Sequence, residues 1–162
     1  MLVICGCAAT PPTARSGEPA SEVRATAPNA PFAPVRVRVL PLTRLVHESD
    51  GAARLDLHVE LLDAWGLPTR ALGTLRVVAR LDAADAARFS RHEPGFDGVL
   101  AWTLDLTDPA TNATRAYDRI TRAYRVRLAH PALAEADNPV RVEVFFTTEG
   151  ALVLPGSATI TP

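Results

Sequence analysis

Alternation of apolar and polar residues with a period of two is the strongest pattern in this chain. It is clearest in RLDLHVELLD, residues 54–63, where Leu55, Leu57, Val59 and Leu61 alternate with charged or polar residues. Successive side chains of a β-strand point to opposite sides of the sheet, whereas a helix would distribute these apolar residues around its circumference. The segment therefore predicts a strand with one apolar face and one polar face.

The same alternation recurs in several other segments along the chain. They are VRVRVL (35–40), TLRVVARL (74–81), LAWTLDL (100–106), YRVRL (124–128), VRVEVFF (140–146) and a last short one near 158–160. About seven or eight strands with this spacing are typical of a β-sandwich. We therefore expect an all-β fold, a single antiparallel sandwich of two sheets packed through their apolar faces.

Turn-forming residues and one helical segment separate the predicted strands. Asp50-Gly51 and Glu149-Gly150 are turn signals, and the first of them indicates a hairpin. The alanine-rich segment LDAADAARFS, residues 81–90, predicts one short helix with Asp82 as its N-cap. A single connecting helix does not change the fold class.

Residues 8–34 differ in composition from everything that follows. They contain six of the 14 prolines, and Val23 and Phe32 are their only large apolar residues. Such a segment buries too little surface to offset the entropy of ordering it. We expect 8–34 to be a disordered, proline- and alanine-rich tether and 35–162 to be the β-sandwich domain.

The charge of the chain excludes one class of partner and predicts no other. Seventeen basic residues, all of them arginine, are balanced by 18 acidic residues, and the arginines are scattered along the sequence. No basic patch suited to phosphate backbones is visible, so nucleic acid is not expected as a partner. No segment reaches the about 18 to 20 apolar residues of a transmembrane helix.

The two cysteines, Cys5 and Cys7, both lie in the first seven residues. Zinc needs three or four ligands, and no cluster of further Cys and His residues follows this pair. The segment Ile4-Cys5-Gly6-Cys7 resembles the lipobox at the end of a bacterial lipoprotein signal peptide, with small Gly6 directly before Cys7. We take residues 1–7 as the end of such a signal peptide, whose complete form we expect to begin at an upstream start codon, because a charged region and about 7 to 15 apolar residues should precede the cleavage site.

The lipoprotein resemblance implies both a modification and a location. Cys7 would be the first residue of the mature protein, with a diacylglycerol on its thiol and an acyl group on its amine. Two or three acyl chains hold a protein firmly on a membrane. Ala8 follows the cysteine, where the enterobacterial sorting rule places aspartate for retention at the inner membrane. The resemblance therefore implies a bacterial cell-envelope protein on the outer membrane, facing the periplasm or the exterior, with an envelope protein as a possible partner.

A second resemblance lies in the segment VELLDAWGLPTRALGTLRV, residues 59–77. Its strand, its Asp-x-x-Gly-x-Pro turn at Asp63, Gly66 and Pro68, and its return strand resemble bacterial immunoglobulin-like and transthyretin-like modules. Aspartate can cap its own backbone in such a turn, and glycine tolerates positive φ. The resemblance implies a module for display, spacing or binding, and it carries no catalytic residues with it.

One row of polar residues is a candidate metal site. On the predicted strand Asp56, His58 and Glu60 share a face at two-residue steps, so their side chains are neighbours that could bind a divalent ion. The competing interpretation is a solvent-facing strand surface without chemistry, because the outer face of a sandwich must be polar. We favour this second interpretation, and we predict neither a cofactor nor a metal.

No catalytic arrangement is recognisable elsewhere in the chain. It has no Gly-x-Ser-x-Gly elbow and no phosphate-binding glycine loop. The polar segment 105–124 suggests a long inter-strand loop, anchored in the core by Tyr117, Ile120 and Tyr124. Trp102 is predicted in the core and Trp65 in corner packing. The sequence thus predicts a protein that is not an enzyme, and a periplasmic metal-binding protein or enzyme built on the Asp56, His58 and Glu60 face is the alternative.

Overall fold

Two antiparallel sheets form the framework of the protein, as the alternation predicts. The computed structural model describes residues 31–162; Cys5, Cys7 and most of the predicted tether lie outside the described residues. The strands are β1 (Arg36–Val39), β2 (Arg44–His47), β3 (Ala53–Leu62), β4 (Pro68–Thr69), β5 (Gly73–Arg80), β6 (Val99–Asp105), β7 (Tyr117–Asp118), β8 (Ala123–Ala129), β9 (Val140–Thr148) and β10 (Val153–Ile160).

The helical parts are short and connect strands. Helix α1 (Ala83–Phe89) begins at Asp82, whose carboxylate accepts a hydrogen bond from the Ala84 amide at 2.9 Å, so the predicted N-cap is confirmed. A one-turn helix α2 (Pro109–Thr111) continues as a π-helical stretch (Asn112–Ala116), and a 3-10 helix (Pro131–Glu135) follows β8. Within residues 31–162 no helix has the length and apolar character needed to cross a membrane.

Both sheets are antiparallel, and their strands do not pair in simple sequence order. The first sheet has the order β1-β3-β8-β7, with β2 and β4 also paired to β3, and the second has the order β10-β9-β5-β6. The prediction of an all-β sandwich is confirmed.

The apolar faces of both sheets meet in one core. Leu55, Leu57, Val59 and Leu61 are completely buried, as their alternation predicts. The inner residues of β5 and β9 pack against the same cluster, and its first member along the chain is Val37. The core therefore begins two residues after the predicted start of the domain.

Strand β10 is longer than the sequence predicts. The sequence predicts only a short strand near 158–160, yet β10 spans Val153–Ile160 and pairs with β9 over its whole length. The Thr148 amide donates to the Leu152 carbonyl, so alternate residues beginning with Leu152 point their backbone groups at β9. Pro155 falls on the other parity and faces the free edge, where its missing donor costs no ladder bond.

Two predicted core contacts are wrong. Ile120 is 92% exposed and anchors nothing, whereas Tyr124 is buried and Tyr117 is half-buried, as predicted. Val35 precedes β1 and is exposed, although the alternation placed it with Val37 on the inner face. Neither residue lies within a strand: Val35 directly precedes β1, and Ile120 lies between β7 and β8.

The two lateral sides of the sandwich differ. On one side β1 lies against β10 so closely that a Cβ atom on Gly156 would be 3.0 Å from Cγ1 of Val37. On the other side β6 and β8 leave a groove of about 720 Å³, bordered by Leu104, Tyr117 and Arg127 among others. The sandwich is thus closed along one side and open along the other.

Among the glycines of residues 31–162, Gly73, at the start of β5, would meet the shortest contact if a methyl group were added. A Cβ atom there would lie 2.2 Å from the Thr147 carbonyl oxygen and 3.0 Å from the Phe146 ring. We expect Gly73→Ala to lower the free energy of unfolding by about 2 kcal/mol or more, measured by urea denaturation. Gly150→Ala is the matched control, because its Cβ would meet nothing nearer than 3.8 Å; equal effects of the two changes would contradict this account.

Candidate functional site

The polar row on β3 has the arrangement that the sequence predicts but not the exposure. Asp56, His58 and Glu60 share the outer face of β3, yet they are only 2%, 7% and 4% exposed. The interpretation of this face as a plain solvent-facing surface is therefore wrong. Both faces of β3 are buried.

Arginine side chains from the neighbouring strands engage both carboxylates. Arg125 of β8 donates to the Asp56 carboxylate through Nε at 3.1 Å and Nη2 at 2.7 Å, a bidentate pair. Arg38 of β1 donates to Oε2 of Glu60 through Nε at 2.9 Å and Nη2 at 2.5 Å. The hydrogen bonds from Arg125 hold the pKa of Asp56 below its usual value, although burial of the carboxyl group opposes this shift. Each buried charge thus has its own guanidinium.

His58 lies between the two ion pairs. Its backbone is fixed by Thr43, whose Oγ1 accepts from the His58 amide at 3.0 Å and donates to the His58 carbonyl at 3.3 Å. Its Nε2 is 3.9 Å from Oδ1 of Asp56, and its buried Nδ1 has no hydrogen-bond partner in the described part of the chain. Burial lowers the pKa of His58, and Asp56 only partly opposes this effect. The lowered pKa favours the neutral form of the imidazole.

The three residues do not form a metal site as they stand. Among residues 31–162 no three His, Cys, Asp or Glu side chains are placed to hold one ion together. An ion at this row would have to displace Arg125 from Asp56 and Arg38 from Glu60. The geometry therefore favours a structural role for these carboxylates.

A further buried carboxylate, which sequence reasoning missed, is also structural. Asp85 of α1 is completely buried and accepts from the Asn138 amide at 3.0 Å and from its side-chain Nδ2 at 3.1 Å. Arg88 pairs with Asp85 and also donates to Asp137 at 2.5 Å. These contacts tie α1 to the segment that enters β9.

An exposed apolar surface lies where the chain enters the sandwich. Phe32 and Trp65 are 69% and 62% exposed, and their rings contact each other with centroids 5.6 Å apart. Leu67 and Leu152 are also largely exposed, and Leu152 lines a groove together with Phe32. We call these four residues the apolar end. The prediction of corner packing for Trp65 is wrong, whereas Trp102 packs against the core as predicted, though only half-buried.

The turn at Asp63 accounts for the position of Trp65. Oδ1 of Asp63 accepts from the amides of Trp65 and Leu67, each at 2.9 Å, and Gly66 has a φ of +78°. This is the turn chemistry that the sequence predicts for Asp63, Gly66 and Pro68. Because the carboxylate occupies the inside of the turn, the side chains of Trp65 and Leu67 are left outside.

The groove on the open side of the sandwich is the remaining candidate site. Its walls combine the charged groups of Asp105, Asp118, Arg125 and Arg127 with apolar side chains such as Ile120. Asp118 accepts from the Ile120 amide at 2.9 Å and from the Thr121 hydroxyl at 2.9 Å, and these bonds lower its pKa. Both of the groove's aspartates are thus used in local turns, since Asp105 likewise accepts from Thr107. The groove was not predicted because its residues come from distant segments.

The chain matches no protein-family model, and no curated protein or solved structure is significantly similar to it. The architecture and the surfaces described above are therefore the basis for any statement about function.

The buried imidazole makes the stability of the protein depend on pH. Because the pKa of His58 is lowered in the folded state, below about pH 6.5 the unfolded chain takes up a proton that the folded chain resists. The free energy of unfolding should therefore fall as the pH decreases from about 7.5 towards the folded pKa. Urea denaturation at several pH values should show a weaker pH dependence in His58→Asn than in the wild type. The exposed His47→Asn is the control, and an unchanged pH dependence in His58→Asn would contradict the prediction.

The arginine pairing also predicts how the protein responds to metal ions. We expect zinc, copper and calcium each to leave the melting temperature of the folded protein unchanged in a thermal-shift titration, because the carboxylates of Asp56 and Glu60 are already neutralised. Arg125→Ala frees Asp56 and serves as the sensitised comparison. Stabilisation of the wild type that His58→Asn abolishes would instead support a metal site on this face.

Proposed function

We propose that the protein is a lipid-anchored bacterial cell-envelope protein that displays one β-sandwich domain in a structural or binding role. Cys7 is the site of lipid attachment, and residues 8–34 are the tether between the membrane and the domain. The outer membrane is the proposed location. The protein acts through its surface and not through catalysis.

The observation that carries this proposal is the order of three segments along the sequence. The lipobox-like Ile4-Cys5-Gly6-Cys7 is followed directly by a proline-rich stretch, and this stretch is followed by a domain. The structure supports the division, because the core has no member before Val37 among the described residues. A domain whose core is built from Val37 onwards can be carried on a tether.

The binding role is supported by the surface of the domain. Large apolar side chains grouped at a surface are uncommon in proteins that act alone, and they mark contact sites more often than scattered single residues do. Phe32 and Trp65 form such a group at the apolar end. The buried polar row on β3, in contrast, has both of its carboxylates engaged by arginines.

Lipid attachment is tested by expressing the gene with its upstream codons in a bacterial host. We expect mass spectrometry of the mature protein to find an N-terminal Cys7 that carries a diacylglycerol and an amide-linked acyl chain. Cys7→Ser should abolish acylation and release the protein from the membrane fraction.

Cys5→Ser is the matched control for this experiment. Since Cys5 lies before the proposed cleavage site, its replacement should leave both acylation and membrane association unchanged. A wild-type protein found in the membrane-free fraction with an unmodified Cys7 thiol would overturn the proposal.

A further inference from the structure

Strand β6 is the outermost strand of the second sheet, and one of its edges is unpaired. Its only partner among the described strands is β5. The Leu106 amide donates to the Gly73 carbonyl and the Leu81 amide donates to the Gly98 carbonyl, which fixes the parity of the ladder. Even-numbered residues of β6 therefore point their backbone groups at β5, and odd-numbered residues point theirs at the free edge.

The free edge offers a short, regular set of backbone donors and acceptors. The Val99 amide is capped by Oδ1 of Asp97 at 3.0 Å. By the parity of the ladder, Ala101 and Thr103 each direct an amide and a carbonyl away from β5. Within residues 31–162 no backbone group forms a hydrogen bond with them on that side. Such a row of unpaired groups is a template for another strand.

The other sheet edges carry the features that block strand addition, whereas β6 does not. Strand β10 has Pro155 on its free edge and is covered by β1 at Gly156. The edge formed by β1 and β2 is interrupted at Pro41. At the opposite edge of the first sheet the two-residue strand β7 pairs with the start of β8, and the rest of that edge of β8 carries Arg125 and Arg127. Strand β6, with the sequence VLAWTLD, has no proline and no basic residue. Its exposed side chains at Ala101 and Thr103, on the outer face of the sheet, are small. It is the unprotected edge of the described fold.

We propose that β6 is a self-association edge, at which a second copy of this chain pairs antiparallel with β6 about a two-fold axis through Trp102. In this register Ala101 of each copy faces Thr103 of the other as a hydrogen-bonded pair. Trp102 faces its own counterpart as a non-hydrogen-bonded pair, in which side chains approach most closely. The two second sheets then form one continuous sheet.

The chemistry of β6 fits a copy of itself. The outward backbone groups of Ala101 and Thr103 are complementary to one another when the strand is inverted, as a two-fold interface requires. Trp102 and Leu104 are only half-covered although both pack against the core, so an added strand buries more of each. Side chains of this kind stabilise cross-strand pairs.

Charge also favours this register. Inside one copy Arg80, which also pairs with Glu143, lies beside Val99. Val99 faces Asp105 of the other copy, so a cation and an anion lie on the same face two strands apart. No two like charges face each other along the paired strands, because Asp105 is the only charged residue of β6. A seven-residue edge is smaller than a standard interface, so the association should be concentration-dependent.

The test uses the full chain with Cys5→Ser and Cys7→Ser, which removes both lipid attachment and disulfide formation through these cysteines. Sedimentation equilibrium up to about 1 mM protein should show a reversible change from the monomer mass to twice that mass. Thr103→Pro removes only an outward donor and should leave the protein monomeric. Thr159→Pro is the matched control, because Thr159 has the same parity on the opposite edge strand β10, and it should dimerise as the parent does.

A charged variant covers the case in which Thr103→Pro fails to fold. Ala101 is exposed, and Ala101→Arg places two guanidinium groups near the two-fold axis, so it should raise the dissociation constant at least tenfold at low salt. A monomeric parent at all concentrations would overturn the proposal. So would a dimer that survives both Thr103→Pro and Ala101→Arg, since its interface would lie elsewhere.

A disulfide experiment tests the register itself. Hydrogen-bonded pairs have Cα atoms about 5.5 Å apart, within the range of a disulfide, whereas diagonal neighbours are about 7 to 8 Å apart. On mild oxidation, a mixture of Ala101→Cys and Thr103→Cys chains should form the mixed disulfide in preference to either symmetric one. Preference for a symmetric product would exclude the two-fold axis at Trp102.

Discussion

Strand β3 lies in the middle of the first sheet and is buried on both faces, although only one of its faces is apolar. Its inner leucines pack in the core, and its outer carboxylates, Asp56 and Glu60, lie beneath arginine side chains from β8 and β1. A buried carboxylate is tolerated only when it is paired and hydrogen-bonded, and a guanidinium can do both at once through two parallel bonds. The ion pairs therefore connect β3 to its neighbours through side chains as well as through the backbone ladder.

The same arrangement explains how the first sheet accommodates a break in its edge. Strands β1 and β2 pair with the two halves of one edge of β3, and the ladder between them is interrupted opposite His58. The Leu40 amide and the Thr43 hydroxyl take over the backbone groups of His58 at this point. A side chain thus replaces a missing strand residue, and the central strand keeps its hydrogen bonds.

Local rules gave the inner faces, the turn at Asp63 and the helix cap at Asp82 from the sequence, because each depends on residues a few positions apart. The burial of Asp56 was not predictable in this way, because its partner Arg125 is 69 residues away and the pairing depends on which strands become neighbours. The length of β10 was missed because only residues 158–160 were recognised as a strand, and the pairing with β9 that places Pro155 at the free edge is a tertiary feature. Sequence reasoning found the polar row on β3 but not the arginine pairing that determines its chemistry. It found neither the groove nor the apolar end, because both depend on tertiary packing.

The contact of Val37 with Gly156 has a consequence beyond the closure of one side of the sandwich. Sheets that are open at both ends can stack strand after strand into filaments, as long as each new molecule offers another free edge. Here the contact and Pro155 cap one end of the second sheet, so within residues 31–162 a molecule joined through β6 has no second free edge on that sheet. Under the proposed pairing, association through this sheet therefore stops at the dimer and does not continue into a filament.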